Sequence, residues 1–126
     1  MLSTERGDKT MKYLLILNEA PYGNERTYNG LRLATSLAKS EGTSVSVFLT
    51  GDAVGAAVSG QTTPDGYYNI ERMLKGLALK GAKLGVCGSC MDARGIRPES
   101  LVEGAHRSSL DEMTAWTLEA DRVLTF

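Results

Sequence analysis

The sequence predicts an α/β fold, a three-layer sandwich in which helices flank a mostly parallel five-stranded sheet. Short apolar or β-branched runs alternate with segments whose apolar residues recur at helical spacing, and this alternation repeats at least four times. Glycines or polar clusters punctuate the segments. A chain of 126 residues, 42% hydrophobic and 23% charged, is long enough for one substantial core and too short for two. Alternating strands and helices imply parallel strands joined by right-handed crossovers.

The first ten residues, Met1 to Thr10, are polar and lack the apolar stretch of a secretory signal; they read as a flexible leader before a single domain over residues 11–126. The first strand is Lys12 to Leu17, an apolar run suited to burial on both sides. After a polar loop with Pro21 and Gly23, Asn24 is placed to cap a helix reaching about Glu41. Leu31, Ala34, Leu37 and Ala38 form its apolar stripe, and Gly42 stops it. Ser44 to Leu49 is the second strand, rich in β-branched residues.

Asp52 is positioned to cap a short helix through Val58. A longer helix is expected from about Tyr67 to Lys80, with Ile70, Met73, Leu74 and Leu77 on one face. Lys83 to Cys87 is the third strand, followed by a short helix around Cys90 to Arg94 that Gly95 ends. Leu101 to Gly104 reads as a short fourth strand. Ser109 with Glu112 forms a capping box ahead of a helix carrying Leu110, Met113 and Thr117 on one side, with Trp116 beside it, and Asp121 to Phe126 closes the sheet.

In such a sheet, functional groups gather at the carboxyl ends of the strands: Asn18 and Glu19, Gly51 and Asp52, Cys87 to Cys90, and Gly104 to His106. The segment Cys87-Gly88-Ser89-Cys90 is the chemically distinctive one. Amide hydrogens at a helix start favour a thiolate, Gly88 permits a sharp turn, and Ser89 offers a hydrogen bond. Arg94, one turn beyond Cys90, is a source of positive charge, whereas Asp92 would oppose ionisation.

Several chemistries fit these residues. A thiolate can accept sulfane sulfur as a persulfide; two thiols three residues apart can exchange with a disulfide; and Cys87, Cys90 and His106 are three zinc-ligand types without a second cysteine pair. Plain packing of Cys87 inside the strand is the inert alternative. Asn18, Glu19, Tyr22 and Arg26 follow the first strand as candidates for a pocket mouth, and His106 is a candidate general base.

A net charge of −1, with scattered basic residues, supports neither nucleic-acid binding nor attraction to a membrane. The glycines from Gly51 to Gly55 lack the spacing of a phosphate loop, so no nucleotide or other cofactor is expected, and no bound metal. A single histidine leaves catalytic triads unsupported. A cytoplasmic location is the default expectation, in which both cysteines stay reduced.

Three stretches, MKYLLILNEAPYGNERTYNGLRLA, LGVCGSCMDARGI and LVEGAHRSSLDEMTAWTLEADRVLTF, together resemble the DsrE/DsrF-like family of small sulfur-relay proteins, over residues 11–126. The resemblance implies a parallel-sheet domain that forms a homo-oligomer, trimer or hexamer, and deals with other sulfur-carrier proteins. It also implies a persulfide-bearing cysteine at the end of the third strand, ahead of an arginine-glycine pair. Here Gly95 of that pair follows Cys87 by eight residues, so the role falls on Cys87. Cys90 is a departure from the relay pattern: a neighbouring thiol can attack a persulfide, release sulfide and leave a disulfide. A non-enzymatic binding or redox-responsive module is the second reading.

Overall fold

Continuous apolar runs become strands here because both sides of the sheet carry helices. The structure, a computed structural model, describes residues 10–126. Apart from Thr10, the leader expected over Met1 to Thr10 lies outside the described residues. Five strands, β1 (Met11–Leu17), β2 (Thr43–Leu49), β3 (Lys83–Cys87), β4 (Ala105–Ser108) and β5 (Arg122–Thr125), form one sheet in the order β4-β3-β2-β1-β5. Every pairing between them is parallel. The helices are α1 (Arg26–Ala38), α2 (Ile70–Leu79), α3 (Gly88–Asp92) and α4 (Leu110–Glu119), with 3-10 turns at Gly51–Ala57, Pro64–Gly66 and Pro98–Ser100.

Because strand side chains alternate, each strand feeds two cores. Leu15, Leu17, Val47, Leu49, Leu84 and Val86 face the larger one, where Leu31 and Ala34 of α1 and Ile70, Leu74 and Leu77 of α2 join them. Leu14, Ile16 and Phe48 face the smaller one, which Trp116 of α4 completes edge-on to Phe48, with ring centroids 6.1 Å apart. Gly85 fits beneath Trp116: a β-carbon there would stand 3.0 Å from the indole.

Local chemistry sets the boundaries. Asn24 Oδ1 accepts the Arg26 amide, a turn ahead of α1 rather than its cap, since Glu25 occupies that position. The helix expected from Tyr67 begins at Ile70, because Tyr68 is held in the left-handed region (φ 57°) and Asn69 Oδ1 caps Arg72 N at 3.0 Å. Ser109 Oγ likewise takes Glu112 N at 3.2 Å. The Glu112 carboxylate does not close the box, and accepts instead from Ser108 Oγ at 2.6 Å.

The fourth strand is Ala105–Ser108, not Leu101 to Gly104: Leu101 makes only an isolated antiparallel bridge with Val58, and Gly104, at φ +97°, turns the chain into β4. Val102 looked like strand and is indeed buried, but its amide is bonded to Ala57 O in the loop layer. No helix among the described residues is long and apolar enough to cross a membrane.

Candidate functional site

At the carboxyl edge of the sheet, β3 ends on Cys87 and passes directly into α3, so that Cys87 stands at the position preceding the first helical residue. Such a turn leaves no room for a side chain at Gly88. A β-carbon there would meet Ser108 O and the Arg107 guanidinium carbon, both at 2.9 Å. Cys90 lies on the first turn of α3, on the side facing the end of β2. Both cysteines are free and half-buried.

The neighbouring strand end supplies the surroundings of Cys90. Its Sγ accepts the Gly51 amide at 3.2 Å and lies 3.5 Å from Thr50 Oγ1. Gly51 is at φ +57°, a left-handed conformation that favours glycine, with Asn18 O in ordinary contact beside it. Cys87 Sγ lies 3.4 Å from Ser89 Oγ. Burial pushes the Cys87 thiol up, but hydrogen bonds from the Cys90 thiol, Ser89 Oγ, the Cys90 amide and Thr50 outweigh it and bring the thiol down to about 7. The net effect stabilises a thiolate.

Two ion pairs bracket the sulfurs. Arg94 donates to Asp52 Oδ1 through Nη2 at 2.7 Å and to the Cys90 carbonyl through Nη1 at 3.1 Å. The Asp52 hydrogen bond raises the Arg94 guanidinium, burial opposes it, and negative charge on Asp52, Cys90 and Cys87 adds to the rise. On the other flank Arg107 holds Asp92 with two bonds, at 2.7 and 3.0 Å, and reaches Gly88 O at 3.1 Å. This pairing holds the Asp92 carboxyl below its usual range, burial opposing, so the carboxylate next to α3 is matched by a cation. Asp52, expected as a helix cap, serves Arg94 instead.

The sequence-predicted site residues divide into two groups. Cys87, Ser89, Cys90 and Arg94 come together, with Asn18 behind Gly51 and its own Nδ2 donating to Phe126 O. Glu19 and Arg26 pair with each other at 3.7 Å on the surface. Tyr22 donates its hydroxyl to Gln61 Oε1 at 2.5 Å and accepts the Ile70 amide at 3.1 Å, fastening the start of α2. His106, on β4 opposite Gly85, is engaged by Glu112 at 2.5 Å and packs edge-on to Trp116. Burial raises the Glu112 carboxyl, but hydrogen bonds from Ser108 and His106 prevail and lower it.

Among the described residues no three His, Cys, Asp or Glu side chains gather as ligands, so the zinc set of Cys87, Cys90 and His106 is not assembled. Sequence reasoning missed the parts played by Thr50 and Arg107. Thr50 ends a recognisable strand, a legible signal; Arg107 sits on the misplaced fourth strand and gave none.

Comparison with known proteins follows the same architecture. The chain is 41% identical over 116 residues to protein YchN of Escherichia coli (strain K12), covering 91% of this chain and 98% of that one. It is 40% identical over 116 residues to protein MJ0989 of Methanocaldococcus jannaschii, covering 92% and 100%. The crystal structure of the E. coli ychN protein superposes with a TM-score of 0.87 over 93% of this chain and all of that chain. Protein MTH1491 of Methanobacterium thermoautotrophicum, 14% identical, shares the fold at a TM-score of 0.72, over 92% of this chain and 99% of that one. With the family model matched over residues 11–126, the chain belongs to the DsrE/DsrF-like family.

Proposed function

We propose that the protein handles sulfane sulfur, accepting it on Cys87 as a persulfide and passing it on. The observation that carries the reading is the Cys87 thiol, half-exposed at a strand end and lowered to about 7 within a network of hydrogen bonds. Attack by its thiolate on the outer sulfur of a donor persulfide breaks the donor S–S bond, releases the donor thiolate and leaves a persulfide on Cys87. Handing the outer sulfur to an acceptor thiolate reverses these roles and restores Cys87. Ser89 Oγ and Arg94 supply hydrogen bonding and positive charge beside the sulfurs.

Cys90 favours a second outcome at the same site. Held by the Gly51 amide and close to Thr50, its sulfur attacks Cys87 Sγ of the persulfide, expels hydrosulfide and forms a Cys87–Cys90 disulfide, which a dithiol reductant must then reopen. This is the redox-responsive form of the same reading. A cytoplasmic homo-oligomer, trimer or hexamer, is part of the proposal: Leu110 and Leu118 on α4 are 75% and 82% exposed, apolar surface suited to contact between subunits.

The test is incubation of the reduced protein with inorganic polysulfide followed by intact mass measurement. A gain of one sulfur atom that Cys87→Ser abolishes supports the reading. Failure of the wild type to gain sulfur, where a persulfide carrier does so in parallel, overturns it.

A further inference from the structure

A second polar site lies at the opposite end of β3 from Cys87, under the C-terminal half of α4. A pocket of about 130 Å³ is lined there by Lys12, Ser44, Ser46, Lys83, Trp116 and Glu119, among others. Its volume approaches the ~150 Å³ of an engineered cavity that holds benzene, so it suits a molecule of a few heavy atoms. Sheet register builds it. Lys12 on β1 is paired with Ser44, and Lys83 on β3 with Ser46, so two ammonium groups flank the two hydroxyls of the strand between them.

Two features point to a ligand. Ser46 is only 8% exposed as a residue and lines the pocket, where it adds a second hydroxyl to that of Ser44. Neither Lys12 nor Lys83 is in an ion pair among the described residues; Lys83 Nζ stands 5.3 Å from the centre of the Trp116 ring. The nearby Asp121 carboxylate accepts the Lys12 backbone amide at 2.8 Å. Glu119 is the single carboxylate of the lining, so two cations outnumber it.

We infer that this pocket binds a small tetrahedral oxyanion, of the phosphate or sulfur-oxyanion class. Donors converge on it from three adjacent strands: an ammonium from β1, hydroxyls from β2 and an ammonium from β3. A tetrahedral anion presents an oxygen to each, whereas a planar carboxylate has only two oxygens to share. Lysine suits such a ligand as a point charge. The site is separate from the cysteine pair and stands whether or not Cys87 carries sulfur.

Trp116 is the only tryptophan of the chain, and it lines the pocket, so its fluorescence reports occupancy. The full chain is titrated with inorganic phosphate, sulfate and thiosulfate, each against sodium chloride at matched ionic strength. A saturable emission change with at least one oxyanion, absent with chloride, is expected, and the anion saturating at the lowest concentration identifies the ligand class. Lys12→Gln and Lys83→Gln should each raise the midpoint roughly tenfold or more, as loss of a charge-assisted hydrogen bond implies. Both lysines are exposed, so folding is retained, which circular dichroism verifies. A response no different from chloride, or a midpoint unchanged in both lysine variants, overturns the inference.

Discussion

Arg107 grips Asp92 through two hydrogen bonds while the same guanidinium reaches the carbonyl of Gly88, the first residue after Cys87. A carboxylate one turn from the sulfurs is thereby prevented from acting as an unopposed negative charge. Arg107→Gln frees that charge, raises the Cys87 thiol and slows its alkylation at pH 7 roughly twofold to fivefold. Stopped-flow thiol titration measures this, and an unchanged rate would show that the ion pair is only structural.

The pH dependence of Cys87 has a defined sign. Its thiol is lowered from 9.0 to about 7. Half of it is then ionised at pH 7, against about one part in a hundred for a thiol at the ordinary value. The alkylation rate should turn over near pH 7. Since the folded value is the lower one, the stabilisation due to ionisation is complete above pH 9 and is lost as pH falls through 7. Urea midpoints measured across this interval should rise with pH in the wild type and rise less in Cys87→Ser.

Replacing the neighbouring thiol tests both of its assigned parts. In Cys90→Ala the Cys87 sulfur loses one hydrogen-bond donor, so its alkylation midpoint moves up. Any sulfur adduct on Cys87 also survives longer, because no adjacent thiol expels hydrosulfide. A time course of intact mass reads the second effect independently of the first.

Tyr22 belongs to the frame of α2 rather than to the sulfurs. Tyr22→Phe removes a hydroxyl that both donates to Gln61 and accepts from Ile70, and costs about 1 kcal/mol of stability. Thermal unfolding should register that loss while the thiol alkylation rate stays at the wild-type value. A changed rate would place Tyr22 in the site.

Gly88→Ala inserts a methyl group 2.9 Å from a backbone oxygen that has little room to yield. Overpacking of this kind costs about 1–3 kcal/mol. It also displaces Arg107, so both the melting temperature and the Cys87 rate at pH 7 should fall. A variant with full stability and reactivity would contradict the packing described around this turn.

Much of this was readable in the sequence wherever burial wrote a pattern. Lys83–Cys87 is a strand in the structure over the same five residues that the apolar run marked, and Ser109 caps the helix that Glu112 announced. Strand β4 was displaced because Ala105-His106-Arg107-Ser108 lies at the sheet edge, where polar side chains are admitted, while the more apolar Leu101-Val102 packs in a loop. The cysteine pair was visible, as were Ser89 and Arg94 close by in the chain. Partners brought in by folding were not: Gly51 is 39 residues from Cys90, and Asp52 is 42 from Arg94. Strand adjacency alone makes them neighbours.

The strand order also governs how the sheet is completed. Strands β1 to β4 are laid side by side in the order of the chain, each beside the one just before it. The last strand breaks that progression and returns to the far side of β1, where Tyr13 pairs with Arg122. Pairing β5 with β1 closes the longest loop of the sheet and so carries the largest chain-entropy cost of its strand pairings. In amide exchange, the four residues of β5 should therefore be the first of the sheet to open and the last to gain protection.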